Sequence, residues 1–161
     1  MSQQFEYDVF LSHNSSDKPA VESLAKRLMD EAKLRPFLDK WHLIPGVAWQ
    51  SELADALQGS KTVAVFIGPS GNGPWHHEEM QLALNLAVRE RNDFRLIPVL
   101  LPGANPETVT GFLQLRTWVD FREGVNNDIA LKRLVAGILG KATEFKGITL
   151  PDDPAPYRGL M

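Results

Sequence analysis

Apolar positions along the chain follow two periods. Residues 6–12, "EYDVFLS", form a short β-rich run that ends in the polar stretch "HNSSDKP". Val21, Leu24, Ala25 and Leu28 then recur at i, i+3, i+4 and i+7, the stripe of a helix packed on one side. Ser16 or Asp17 is placed to cap that helix, and Pro19 suits its first turn. "RPFLD" at 35–39 predicts a second strand, with Asp39 at its end, and "KWHLIPGVA" a loop. A second helix is expected over 49–57, with Leu53, Ala56 and Leu57 inward. "KTVAVFIG" at 61–68 is nearly all apolar and β-branched, which predicts a strand buried on both faces. "PSGNGP" breaks the chain before a helix over about 75–91. "FRLIPVLL" at 94–101 and "RTWVDF" at 116–121 read as two more strands, and "PGANPETVTGF" between them as a loop with a short helical turn. The last helix is expected over 127–140, stopped by Gly140.

Strands alternating with helices imply βαβ units and a parallel sheet covered on both faces. Five strands in this length fit an α/β, flavodoxin-like, doubly wound domain, in which ligands bind beyond the carboxyl ends of the strands. The loops after strands, at 12–18, 39–49, 68–75 and 101–115, are therefore where function is expected. From residue 141 the pattern stops. "KATEFKGITLPDDPAPYRGLM" carries three prolines and no periodicity, so the chain divides into a domain over 1–140 and a linker or tail over 141–161 leading to a missing downstream region.

Composition narrows the possibilities. A chain of 161 residues has room for one sizeable core. A net charge of -3 weighs against nucleic acid as a partner. Zero cysteines exclude disulfides, zinc-thiolate sites and cysteine nucleophiles. No apolar stretch approaches transmembrane length and "MSQQFEYD" has no signal-peptide core, so the expectation is a cytoplasmic protein with no membrane partner.

The stretch "GNGPWHHEEMQLAL", 71–84, concentrates the candidate chemistry. On a helix, adjacent His76 and His77 point about 100° apart, and no HExxH pattern is present, so no metal is expected. Glu78 shares a face with Gln81, Asn85 and Arg89, a solvated face. Glu79 lies beside the buried stripe, in a first turn that favours an anion. Pattern alone leaves it as either a helix cap or an active-site carboxylate.

"YDVFLSHNSSDK" at 7–18 resembles the opening box of TIR domains. "FLDKWHLIPGVAWQSELADAL" resembles their second strand, Pro-Gly-containing BB loop and following helix; "SKTVAVFIGPSG" resembles the third strand, and "GPWHHEEM" the tryptophan-to-glutamate motif after it. The similarity runs in order over roughly 6–140. The final "PYRGL" resembles a segment that often precedes a STAND-type NTPase module in bacterial signalling proteins.

The resemblance implies two functions. One is cleavage of the nicotinamide–ribose bond of NAD+, a substrate here rather than a cofactor. Glu79, four residues after Trp75, would be the catalytic residue. The other is a scaffold for association with other TIR domains. The tryptophan spacing and the position after a strand favour a functional Glu79 over a cap. Trp75 is otherwise a packing anchor, and Trp49 matches a position where enzymatic members carry an aromatic near the nicotinamide. Ser12, His13 and Asn14 can donate hydrogen bonds to a ribose or phosphate, or simply form a turn. Asp39 is a further candidate binding residue or a loop anchor, and Asp8 a structural one. Trp41, Leu43, Ile44, Pro45 and Gly46, with Trp49, put unusual apolar bulk into one loop, which suits an association surface or a ligand lid. A phosphoacceptor receiver is set aside because "GPSGNG" lacks the aspartate required after the third strand. A Rossmann dehydrogenase is disfavoured because no G-x-G-x-x-G follows the first.

Overall fold

The computed structural model describes residues 5–70, 89, 94–108 and 116–141. In chain order these give β1 (Tyr7–Ser12), a 3-10 turn (Ser15–Asp17), α1 (Lys18–Asp30), β2 (Pro36–Phe37), α2 (Asp39–His42), α3 (Trp49–Gln58), β3 (Ser60–Ile67), β4 (Arg95–Leu100), a second 3-10 turn (Pro106–Thr108), β5 (Val119–Asp120) and α4 (Asp128–Leu139). Most of the helix expected over 75–91 lies outside the described residues, as does the tail beyond residue 141.

The five strands form one sheet in the order β2-β1-β3-β4-β5. Every pairing is parallel. The chain steps from β1 to β2 on one side, then crosses back past β1 to make β3 on the other, so the topological switch point lies between the carboxyl ends of β1 and β3.

Alternation along the strands builds two cores. Phe10, Val63, Val65 and Ile67 pack with Leu53, Ala56 and Leu57 of α3. Val9, Leu11, Ala64 and Phe66 pack with the α1 stripe and with Ala130, Leu131, Leu134 and Ile138 of α4. Helices thus cover both faces, and burial of each larger Val, Leu, Ile or Phe side chain stabilises the fold by about 1.5–3 kcal/mol.

Several local expectations are corrected. The second strand spans two residues rather than 35–39, and Asp39 starts α2 instead of ending β2. Pro36 has no N–H to extend an edge ladder, and the Asp39 carboxylate accepts the Lys40 N–H at 2.7 Å, which turns the chain into a helix. The last strand is likewise short. Asp120 Oδ1 accepts the Arg122 N–H at 2.9 Å and bends the chain away. Asp17, one of the two expected caps, holds the N-cap position of α1 but makes no side-chain cap bond; the side-chain cap comes earlier, where Asn14 Oδ1 accepts the Ser16 N–H at 3.1 Å at the start of the 3-10 turn. The stop at Gly140 is as expected, with φ 77° in the left-handed region. Asp8 is structural: its carboxylate accepts the Arg35 N–H at 2.7 Å and joins β1 to the entry of β2.

Candidate functional site

A cleft of about 370 Å³ opens beyond the carboxyl ends of β1 and β2. Ser12, His13 and Asn14 form its floor, Asp39 and Leu43 one wall, and Trp49 and Leu53 of α3 another. Strand alternation puts Ser12 on the same face as Phe10, toward α3. Its side chain is buried, and its Oγ has no hydrogen-bond partner among the described residues. An unmet buried hydroxyl costs about 1–3 kcal/mol, which a ligand polar group would recover.

His13 enters the site differently from the expected ligand donor. Its Nδ1 lies 3.0 Å from the Leu11 carbonyl oxygen, which can only accept, so Nδ1 carries the proton and donates. Nε2 then accepts from Lys18 Nζ at 2.8 Å. Both ring nitrogens are thereby engaged within the protein. Burial, then the nearby Lys18 ammonium, hold the imidazole below its ordinary range, against the pull of the Leu11 carbonyl, Asp39 and Asp17. A neutral ring with a fixed tautomer results.

Lys18 also donates to Asp39 Oδ1. Asp39 lines the cleft and is anchored there by Lys18. Sequence reading missed Lys18. A signal was present, because a cation at the first position of a helix opposes the helix dipole. Asn14 lines the cleft, but its Oδ1 is committed to Ser16 N and Oγ, at 3.1 and 3.0 Å.

Asp17 was also missed as a site-flanking group. It is buried at 8% exposure, and its Oδ2 has no hydrogen-bond partner among the described residues. Burial raises its carboxyl above the usual range, and His13 opposes the rise. The group sits against Gly68, directly after β3.

The loop expected to carry apolar bulk divides. Trp41 packs partly buried on the α1–α4 core, and Leu43 on the α3 core. Pro45 and Gly46 are exposed at the tip, with Gly46 at φ 90°, where a side chain would be strained. Ile44, Val47 and Trp49 are 59%, 48% and 40% exposed, so the apolar surface is theirs, with Val47 an addition to the expected set. The Ile44 N–H donates to Glu52 Oε2 at 3.1 Å and ties the loop to α3. Trp75, His76, His77, Glu78 and Glu79 lie outside the described residues. Among the described residues, no group of three or more His, Asp or Glu could hold a metal ion. No described helix is long and apolar enough to cross a membrane.

The sheet order, the cleft beyond β1 and β2 and the loop before α3 define a class of domain. The TIR-domain family model matches residues 9–135, and the chain belongs to that family. No curated protein matches it at the level required for a significant relationship. Among solved structures, a metazoan TIR-STING receptor from C. gigas in complex with 2',3'-cGAMP is similar at a TM-score of 0.64 and 20% identity, over 85% of this chain and 41% of that one. The TIR domain of the Toll-related receptor TRR-2 from Hydra magnipapillata is similar at 0.61 and 19%, over 83% of this chain and 98% of that one. The TIR domains of the activated Roq1 resistosome, which directly recognizes the pathogen effector XopQ, give 0.51 and 28%, over 65% and 62%. This chain therefore spans less than half of the TIR-STING receptor, and that likeness concerns the fold.

Proposed function

We propose that this TIR domain is an NAD+ glycohydrolase that releases nicotinamide and is activated by TIR–TIR assembly in signalling or defence. The observation that carries the reading is the cleft beyond the carboxyl ends of β1 and β2. It joins an unmet Ser12 hydroxyl to an aromatic wall at Trp49, and it lies at the carboxyl end of a sheet whose next post-strand segment holds Trp75 and Glu79 in the sequence.

The chemistry needs few groups. Nicotinamide leaves as a neutral molecule from a cationic pyridinium ring, so no general acid is required. Charge develops on the ribose as an oxocarbenium ion, which one carboxylate can stabilise. Glu79 is assigned that role. Trp49 and Trp75 are assigned stacking on the nicotinamide, and Ser12 a hydrogen bond to the ribose. Attack by water gives ADP-ribose; attack by an adenine nitrogen gives a cyclic product.

The test is nicotinamide release from NAD+ by concentrated or crowded protein. Wild type should turn over, and Glu79→Ala should lose about 100-fold or more. Equal release by the two proteins, or none by assembled wild type, rejects the enzyme reading.

A second reading is a non-enzymatic scaffold. It is favoured by the exposure of Ile44 and Val47 beside the cleft, and the Roq1 neighbour belongs to an assembly, a resistosome. Assembly without turnover, unchanged in Glu79→Ala, would select it.

A further inference from the structure

We infer that Lys18 is the positioning residue of the cleft, holding the β1 floor and the α2 wall in one arrangement through His13 and Asp39; this rests on reading the cleft as the NAD+ site. The placement is locally unfavourable. Lys18 is the first residue of α1, where the helix dipole favours an acid. What compensates is tertiary: one ammonium donates at once to His13 Nε2, at 2.8 Å, and to Asp39 Oδ1. Among the described residues its partners stand just beyond the carboxyl ends of β1 and β2, so the ammonium ties those two ends together.

The consequence passes along named bonds. The Leu43 N–H donates to the Asp39 carbonyl at 3.0 Å. The next residue, Ile44, donates its N–H to Glu52 of α3, the helix that Trp49 begins. Fixing Asp39 therefore helps fix Leu43 and Trp49 over Ser12, all of which line the cleft. Lys18 acts through these groups rather than on the substrate.

The arrangement needs a neutral His13. The charged groups facing the imidazole are Lys18 at the start of α1, Asp39 at the start of α2, with Oδ1 3.7 Å from Nε2, and Asp17 in the 3-10 turn. Protonation would place an Nε2–H against the ammonium and remove its acceptor. Acid should thus loosen the wall as it titrates His13.

The experiment compares wild type, Lys18→Met and Lys18→Arg. It follows the His13 ring nitrogens and the Trp49 indole by 15N NMR, and NAD+ turnover in the assembled protein. In Lys18→Met, His13 should take up a proton at higher pH than in wild type, because the cation is gone and Asp39 remains. The Trp49 indole resonance should move, and KM should rise about tenfold with kcat little changed. Lys18→Arg should keep the His13 titration closer to wild type. If Lys18→Met leaves both His13 and Trp49 resonances in place, the inference is overturned, whatever turnover does. If they move but KM does not, the role in the cleft is overturned. Absence of turnover in assembled wild type would reject the NAD+ reading instead, while a coupled His13 and Trp49 response would still support Lys18 as the positioning group.

Discussion

The Asp17 carboxylate occupies the space where a side chain on Gly68 would stand. Asp17 leads into α1 and Gly68 leaves β3, so this contact closes the ends of two elements over one another. Glycine is required at 68 by that approach and not by backbone conformation. Gly68→Ala should lower stability by about 1–3 kcal/mol, because the buried Asp17 has little room to yield. Urea unfolding of both single variants and of Asp17→Ala/Gly68→Ala checks the cause. The double variant should lose clearly less than the sum of the singles. Strict additivity would show that the two residues do not contend for the same space.

The same region makes stability depend on pH in two opposite ways. His13 is held below its ordinary range by burial and by Lys18, so the unfolded chain binds its proton more tightly than the folded one. Stability should therefore be full above the ordinary imidazole range and decline as the pH falls through it toward the lowered folded value. Asp17 is raised by burial, so the folded chain holds its proton more tightly. Its contribution is present below the ordinary carboxylate range and lost as the pH rises through the raised value. Urea midpoints from pH 8 downward should fall for wild type through the histidine window and flatten in His13→Gln. Asp17→Asn should gain stability at neutral pH, since a buried anion is replaced by a neutral amide. A His13→Gln protein with an unchanged pH profile would remove His13 from this account.

The exposed apolar residues of the loop before α3 predict where association is read. Ile44 and Val47 expose 59% and 48% of their surface. Replacing either with aspartate should change monomer stability by no more than about 0.5 kcal/mol, as for most surface substitutions. Self-association should weaken by about tenfold or more, because a charge would be desolvated in any apolar contact. Sedimentation at increasing concentration checks this. Trp41→Ala should behave differently and destabilise the monomer, because Trp41 packs on the α1–α4 core. If the aspartate variants assemble like wild type, the loop is not the association surface.

The sequence made the long elements legible, for a physical reason. The α1 stripe from Val21 to Leu28 and the apolar run of β3 carry enough period to specify a helix and a doubly buried strand alone. β2 and β5 reduce to two residues each because side-chain bonds from Asp39 and Asp120 to the following backbone compete with the ladder, and such competition is invisible to periodicity. In the site, Ser12, Asp39 and Trp49 were legible from their places after strands and at a helix start. The link from His13 through Lys18 to Asp39 was not. Its Lys18–Asp39 bond joins residues 21 positions apart, and the parallel pairing of β1 with β2 brings those ends together.

Trp49 allows the aromatic wall of the cleft to be tested. It begins α3, lines the cleft and keeps 40% of its surface exposed. The exposed part of its ring offers a stacking surface worth about 0.5–1.5 kcal/mol to a planar ring. Trp49→Ala should therefore raise KM for NAD+ by roughly 2- to 10-fold with little change in kcat, since stacking acts on ground state and transition state alike. Trp49→Phe should retain much of the affinity. Leu43→Ala serves as the contrast: Leu43 also lines the cleft but packs on the α3 core, so its loss should lower the thermal midpoint as well as affinity. Measuring KM, kcat and Tm on the three variants separates the roles. An unchanged KM in Trp49→Ala would take this residue out of the substrate site and leave it to the association loop.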